Sequence, residues 1–135
     1  MTPRRTVKAR RDGPRPVYGD GLNVRDWIHV EDHCAGIVAA LFEGTPGAVY
    51  NFGGDSEMAN LETVELILSS LGKPESLISF VTDRLGHDRR YAIDSSFAQR
   101  ELGWKPLHSF REGLSGTIDW YLKNRAWWEP LLERT

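Results

Sequence analysis

The sequence predicts an α/β fold, and three observations carry that prediction. Short runs of β-branched and aromatic residues alternate with stretches whose apolar side chains recur every three or four positions. Glycines stand where each helical stretch should stop. Of the 135 residues, 40% are apolar and five are Trp, enough to close a core. The length suits one domain and is short for two. With a formal charge of −2, the composition gives no reason to expect a nucleic-acid or polybasic membrane partner.

Taken in order, Pro16-Val17-Tyr18 reads as a short extended piece and Gly19-Asp20-Gly21 as a turn. Val24 to Val30 has strand-like density. Glu31 and Asp32 then suit the positive end of a helix that carries Ile37, Val38 and Leu41 inward and stops at Gly44. Ala48 to Phe52 reads as a second short strand ending in Gly53-Gly54. Asn60 is placed to cap the next helix, on which Leu61, Val64, Ile67, Leu68 and Leu71 share one face up to Gly72. Leu77 to Val81 is an apolar run of strand length, Tyr91 to Ile93 is extended, and a short helix runs from near Ser95 to Gly103. Ser109 to Glu112 has the form of a capping box, opening a helix marked by Phe110, Leu114, Ile118, Tyr121 and Leu122. Trp127 and Trp128 are expected to fold back, since adjacent exposed indoles are costly. These strands are too few and too short for a self-sufficient doubly wound sheet.

The near-neutral total hides a split. Residues 1–15 hold Arg4, Arg5, Lys8, Arg10, Arg11 and Arg15 against Asp12, a net of +5, whereas the rest of the chain nets −7. This start lacks the apolar stretch of a secretory signal and reads most simply as a disordered or mis-started leader, with residues 16–135 as the folded lobe. No run approaches the ~18 apolar residues of a membrane span. The single cysteine, Cys34, can form no internal disulfide, which fits a cytoplasmic protein. Its helix of small apolar residues suggests a core position.

The densest polar cluster, Asp83-Arg84-Leu85-Gly86-His87-Asp88-Arg89-Arg90-Tyr91, follows a predicted strand, where α/β proteins place ligands. Planar guanidinium forks match pairs of phosphate oxygens, so these arginines suit a diphosphate. Composition alone slightly favours a solvated loop in which Asp83 and Asp88 neutralise them. In Arg25-Asp26-Trp27-Ile28-His29-Val30-Glu31-Asp32-His33, Arg25 and His29 share a strand face at even spacing. His29 and His33 straddle a strand-to-helix junction without the HExxH pattern, and no metal is expected. Gly53-Gly54 lacks GxGxxG spacing, no Tyr is followed four residues later by Lys, and no GxSxG elbow occurs. By inventory this is an anion-binding surface with no catalytic residue.

The words PVYGDG, VRDWIHVEDH, YNFGG, GHDRRYAID, ELGWKP and TIDWY, in this order, resemble the C-terminal part of the dTDP-glucose 4,6-dehydratase family, extended short-chain dehydrogenases. The resemblance covers roughly residues 16 to 132. It implies the substrate-binding portion of an extended Rossmann-type epimerase/dehydratase fold, without the glycine-rich NAD-binding half. In that family NAD oxidises the hexose at C4, water leaves across C5 and C6, and the hydride returns at C6, yielding dTDP-4-dehydro-6-deoxyglucose. The resemblance implies that Arg25 and Arg84 meet the diphosphate region of a dTDP-hexose. It likewise gives Asn60 and His87 further substrate contacts and lays Pro16 and Tyr18 near the base. Leu85 replaces the usual Pro, loosening the loop. The family's dinucleotide loop and Tyr-x-x-x-Lys pair are absent, so the expectation is a truncated or mis-started fragment, inactive alone. The alternatives are a non-catalytic nucleotide-sugar module, a half-enzyme completed by a separate Rossmann chain, or a related epimerase or decarboxylase. The family's homodimer is a further possible assembly.

Overall fold

A computed structural model describes residues 13–132. Four short strands and five helices succeed one another: β1 (Arg15–Tyr18), β2 (Val24–Asp26), α1 (Val30–Glu43), β3 (Glu57–Ala59), α2 (Asn60–Ser70), β4 (Ile78–Val81), α3 (Ser96–Leu102), α4 (Phe110–Lys123) and α5 (Arg125–Leu132). A single 3₁₀ turn, Glu75–Leu77, leads into β4. β1 begins at Arg15, so the last residue of the basic stretch belongs to the fold. The rest of the leader expected over residues 1–15, up to residue 12, lies outside the described residues.

The strands form two small ladders. β1 and β4 are parallel, from Arg15 opposite Ile78 to Tyr18 opposite Val81. β2 and β3 are antiparallel, from Val24 opposite Ala59 to Asp26 opposite Glu57. The chain beyond β4 returns to stitch them together: Val24 N–H donates to the Arg89 carbonyl at 2.8 Å and Tyr91 N–H to the Val24 carbonyl at 3.1 Å. The turn after β1 needs two glycines, with φ of +57° at Gly19 and +76° at Gly21.

The core is built as the helical periodicity predicts. Val64, Ile67 and Leu68 of α2 meet Phe110, Leu114 and Ile118 of α4 around Val17 of β1, all buried. Ser109 caps α4, its hydroxyl accepting from Glu112 N–H, while the Glu112 carboxylate takes the Ser109 hydroxyl and not the backbone N–H of a full capping box. Gly103 ends α3 in the left-handed conformation. Trp128 folds back and is buried, its Nε1 donating to the Tyr121 carbonyl, while Trp127 is exposed and rests edge-on against Trp120.

Five expectations are corrected. The strand at Val24 stops at Asp26, opposite the first residue of β3, and a last bond from Trp27 N–H to the Ser56 carbonyl closes the ladder. Ala48 to Phe52 is not a strand: no neighbouring strand among the described residues supplies a ladder, and the third strand is Glu57–Ala59 instead. On α1 the large apolar side chains point outward, with Leu41 74% and Phe42 79% exposed beside exposed Ile37 and Val38. Its inward side is crowded by Tyr50, Phe52 and Trp104 and accepts only small residues; a Cβ on Gly36 would lie 2.6 Å from Phe52 Cδ1. Cys34 is exposed for the same reason. Asn60 is the first residue of α2 and not its cap; Ala59 holds that position without a side-chain bond. No helix among the described residues is long and apolar enough to cross a membrane.

Candidate functional site

The loop 83–91 leaves the end of β4 and lands on β2, meeting the turn after β1 through Asp20 and Asn23. Asn60 N–H donates to the Asn23 carbonyl and Leu61 N–H to the Gly21 carbonyl, which brings the head of α2 to the same junction. Pro16 and Tyr18, two apart on β1, share its exposed face. Tyr18 lies edge-on to His87, with ring centroids 6.3 Å apart. The expected substrate residues Pro16, Tyr18, Arg25, Asn60, Arg84 and His87 thus come from elements that converge here.

Within the loop, charges sort into paired and unpaired. Arg89 clasps Asp20 through contacts of 2.8 and 3.0 Å, and Arg90 clasps Glu57 through contacts of 2.7 and 2.9 Å. Asp83 and Asp88 form no ion pair with these arginines among the described residues, although the charges of Asp83 and Arg84 still act on each other. Asp83 takes His87 Nδ1 at 2.6 Å and the backbone N–H of Arg84 at 2.9 Å, and the Asp88 carboxylate accepts from the Tyr91 hydroxyl. The His87 bond, then the Arg84 N–H, hold the Asp83 carboxyl below the usual aspartate range. The Asp88 contact, reinforced by its charge, pushes the Tyr91 phenol up.

Arg84 and Arg25 are different. Neither guanidinium pairs with a carboxylate among the described residues, and the charge of each reaches the Tyr91 phenol. Arg25 donates to the carbonyls of Val24 and Asp88 and stacks with Cζ 4.3 Å from the Tyr91 ring centre, so it also holds the loop. Arg84 is exposed, with its charge open to an anion. Arg25 and His29 do not share a face: the strand ends between them, and His29 caps α1.

Three connections had no sequence signal beyond their place in the motifs. Asp26 accepts from the N–H groups of Gly54 and Ser56 at 3.0 and 2.9 Å, and Gly54 packs so closely that a Cβ would lie 1.9 Å from the Trp27 carbonyl oxygen. Buried Ser95 accepts from Gly53 N–H at 2.7 Å. Asp32, 3% exposed, receives both His108 N–H and its ring Nδ1, and its carbonyl accepts from Trp104 Nε1. Burial pushes the Asp32 carboxyl up, but these His108 bonds outweigh it and hold the group below its ordinary value. The same bond raises His108. The sequence words RDW, YNFGG and VEDH, LGWKP are therefore interlocking parts.

This construction also tests the chain against a dinucleotide. The glycine pair is consumed by internal close packing against Asp26 and Trp27, and so makes no phosphate cradle. Gly53 and Gly54 therefore do not fit the diphosphate of NAD.

A family model described as GDP-mannose 4,6 dehydratase matches residues 4–117. The chain belongs to this family. The dTDP-glucose 4,6-dehydratase of Streptomyces antibioticus is 52% identical over 124 residues, covering 91% of this chain and 37% of that protein. A crystal structure of the Streptomyces venezuelae dTDP-glucose 4,6-dehydratase with NAD and dTDP bound superposes with a TM-score of 0.91 at 45% identity, covering 97% of this chain and 41% of that one. The UDP-glucose 4-epimerase of Thermotoga maritima, with UDP-glucose, shares the fold at a TM-score of 0.83 but only 26% identity, over 90% of this chain and 38% of that one. The architecture is thus that of the extended epimerase/dehydratase enzymes, of which this chain spans well under half the length.

Proposed function

We propose that this chain is the nucleotide-sugar-binding portion of a dTDP-glucose 4,6-dehydratase, gripping the diphosphate of a dTDP-hexose at the loop 83–91. One observation carries the reading: Arg84 stands unpaired among carboxylates that other groups already occupy, while Arg89 and Arg90 are locked to partners. An exposed guanidinium free of an ion pair can turn its planar fork to two phosphate oxygens. Asn60, His87, Pro16 and Tyr18 border the same junction and complete the site. The dehydratases match at nearly twice the identity of the epimerase, which favours the former chemistry over epimerisation.

The oxidation and elimination themselves belong to residues outside this sequence, which has no Tyr-x-x-x-Lys and no glycine-rich dinucleotide loop. The outward Ile37, Val38, Leu41 and Phe42 of α1, together with exposed Val49 on the unladdered segment, form the surface that the NAD-binding part covers. That part arrives either in one continuous chain or as a separate one. A cytoplasmic location and a homodimer of the assembled enzyme complete the reading.

Product analysis tests it. The 135-residue chain with dTDP-glucose and NAD is expected to form no 4-dehydro sugar, while saturably binding dTDP. Adding a Rossmann half of the same family restores turnover. Turnover by the chain alone, or no dTDP binding, contradicts the proposal.

A further inference from the structure

The histidines four apart in the sequence do not meet: His33 lies edge-on to Phe52. His29 instead meets His108, with ring centroids 4.2 Å apart and planes tilted by 33°. The Glu31 carboxylate lies beside them, 3.5 Å from His108 Nε2. Each of the three side chains offers one ligand atom, and these atoms lie within 4.8 Å of one another.

Three features fix the cluster. Buried Asp32 holds His108 by Nδ1 at 2.9 Å and by the backbone N–H at 3.1 Å, leaving Nε2 facing Glu31. A carboxylate on one imidazole nitrogen is what orients the other toward a metal. His29 is set as the cap of α1 and rests on α4 at Gly113, where an added Cβ would lie 3.1 Å from the ring. The cluster opens on a cleft of about 560 Å³ that also runs past Glu112, Thr117 and Trp120, with room for water.

We propose that His29, Glu31 and His108 form a zinc site that ties the head of α1 to the head of α4. Two imidazoles and one carboxylate match Zn²⁺ and fall outside the all-oxygen preference of Mg²⁺ and Ca²⁺. Three protein ligands leave the fourth tetrahedral position to a water in the cleft. This departs from the expectation of no metal, because His108 lies far along the chain from the residues that prompted it. The site does not depend on the nucleotide reading.

Zinc titration of the 135-residue chain, followed by calorimetry and by metal analysis after dialysis, tests the assignment. One Zn²⁺ per chain is expected, with a rise of a few degrees in Tm at saturation. His29→Ala and His108→Asn each lower affinity at least tenfold; the Asn amide keeps a donor for Asp32, so circular dichroism remains unchanged. His33→Ala, His87→Ala and Cys34→Ser keep wild-type affinity. Absence of saturable one-to-one uptake, uptake indifferent to His108→Asn, or uptake lost in any of the three controls overturns the proposal.

Discussion

His87 Nδ1 lies 2.6 Å from Asp83 Oδ1, and the adjacent Arg84 guanidinium forms no ion pair with that carboxylate, which it touches only through its backbone N–H and its charge. Arg84 N–H reaches the same oxygen, so Asp83 Oδ1 carries both contacts, while Oδ2 lies over Gly19, where a Cβ would come within 3.0 Å of it. Arg89, clasped by Asp20, pins the loop to the turn after β1. His87→Ala is expected to free Asp83 toward Arg84 and to weaken dTDP binding severalfold without unfolding the chain. Nucleotide titration with circular dichroism checks both halves of that outcome.

Acid should expose the same pinning. Asp83, through His87, and Asp20, through Arg89, both have carboxyls held below the ordinary aspartate value. A group depressed in the folded state binds protons more readily when unfolded, so its stabilisation is full above about pH 4 and is lost as pH falls below that. The Tm difference between wild type and the Asp20→Asn, Asp83→Asn double variant is therefore expected to be constant from about pH 7 to 5 and to close toward pH 3. A difference that persists unchanged at pH 3 contradicts this origin.

Asp26 is the staple of the β2 to Gly54 junction. Asp26→Ala leaves two partly buried N–H groups, of Gly54 and Ser56, without their acceptor, a loss of about 1–3 kcal/mol. Asp26→Asn, which keeps one acceptor oxygen, loses less. Urea unfolding separates the three proteins. Gly54→Ala is expected not to fold, since its Cβ would overlap the Trp27 carbonyl oxygen.

The outer face of α1 gives a two-sided prediction. Leu41→Glu with Phe42→Glu should reduce aggregation and hydrophobic-dye binding of the isolated chain, because both side chains already face solvent. The same pair should prevent an added Rossmann half from restoring turnover. Unimpaired restoration would show that this face is not the covered one.

Local signals account for what the sequence made legible. The glycine turn after β1, the 3.6-residue stripe of α2 and the Ser109 cap are properties of neighbouring residues, and each forms as expected. Ala48 to Phe52 failed because a strand needs a partner, and none is among the described residues. The face of α1 failed because Gly36, Ala39 and Ala40 fit against aromatic rings from Tyr50, Phe52 and Trp104, crowding that periodicity does not encode. At the site, the arginine-rich loop was visible but its sorting was not. Which arginine stays open depends on Asp20 and Glu57, distant in the chain. His108 was likewise invisible as a partner of Asp32 until the fold joined them.

The central claim is that Arg84 anchors a nucleotide diphosphate while Arg89 does not. Calorimetric titration of dTDP into wild type, Arg84→Ala and Arg89→Ala, in matched buffer and salt, tests it most directly. The account predicts saturable wild-type binding, at least a tenfold loss in Arg84→Ala, and a smaller loss in Arg89→Ala, whose guanidinium is already held by Asp20. Equal affinity in wild type and Arg84→Ala would contradict it.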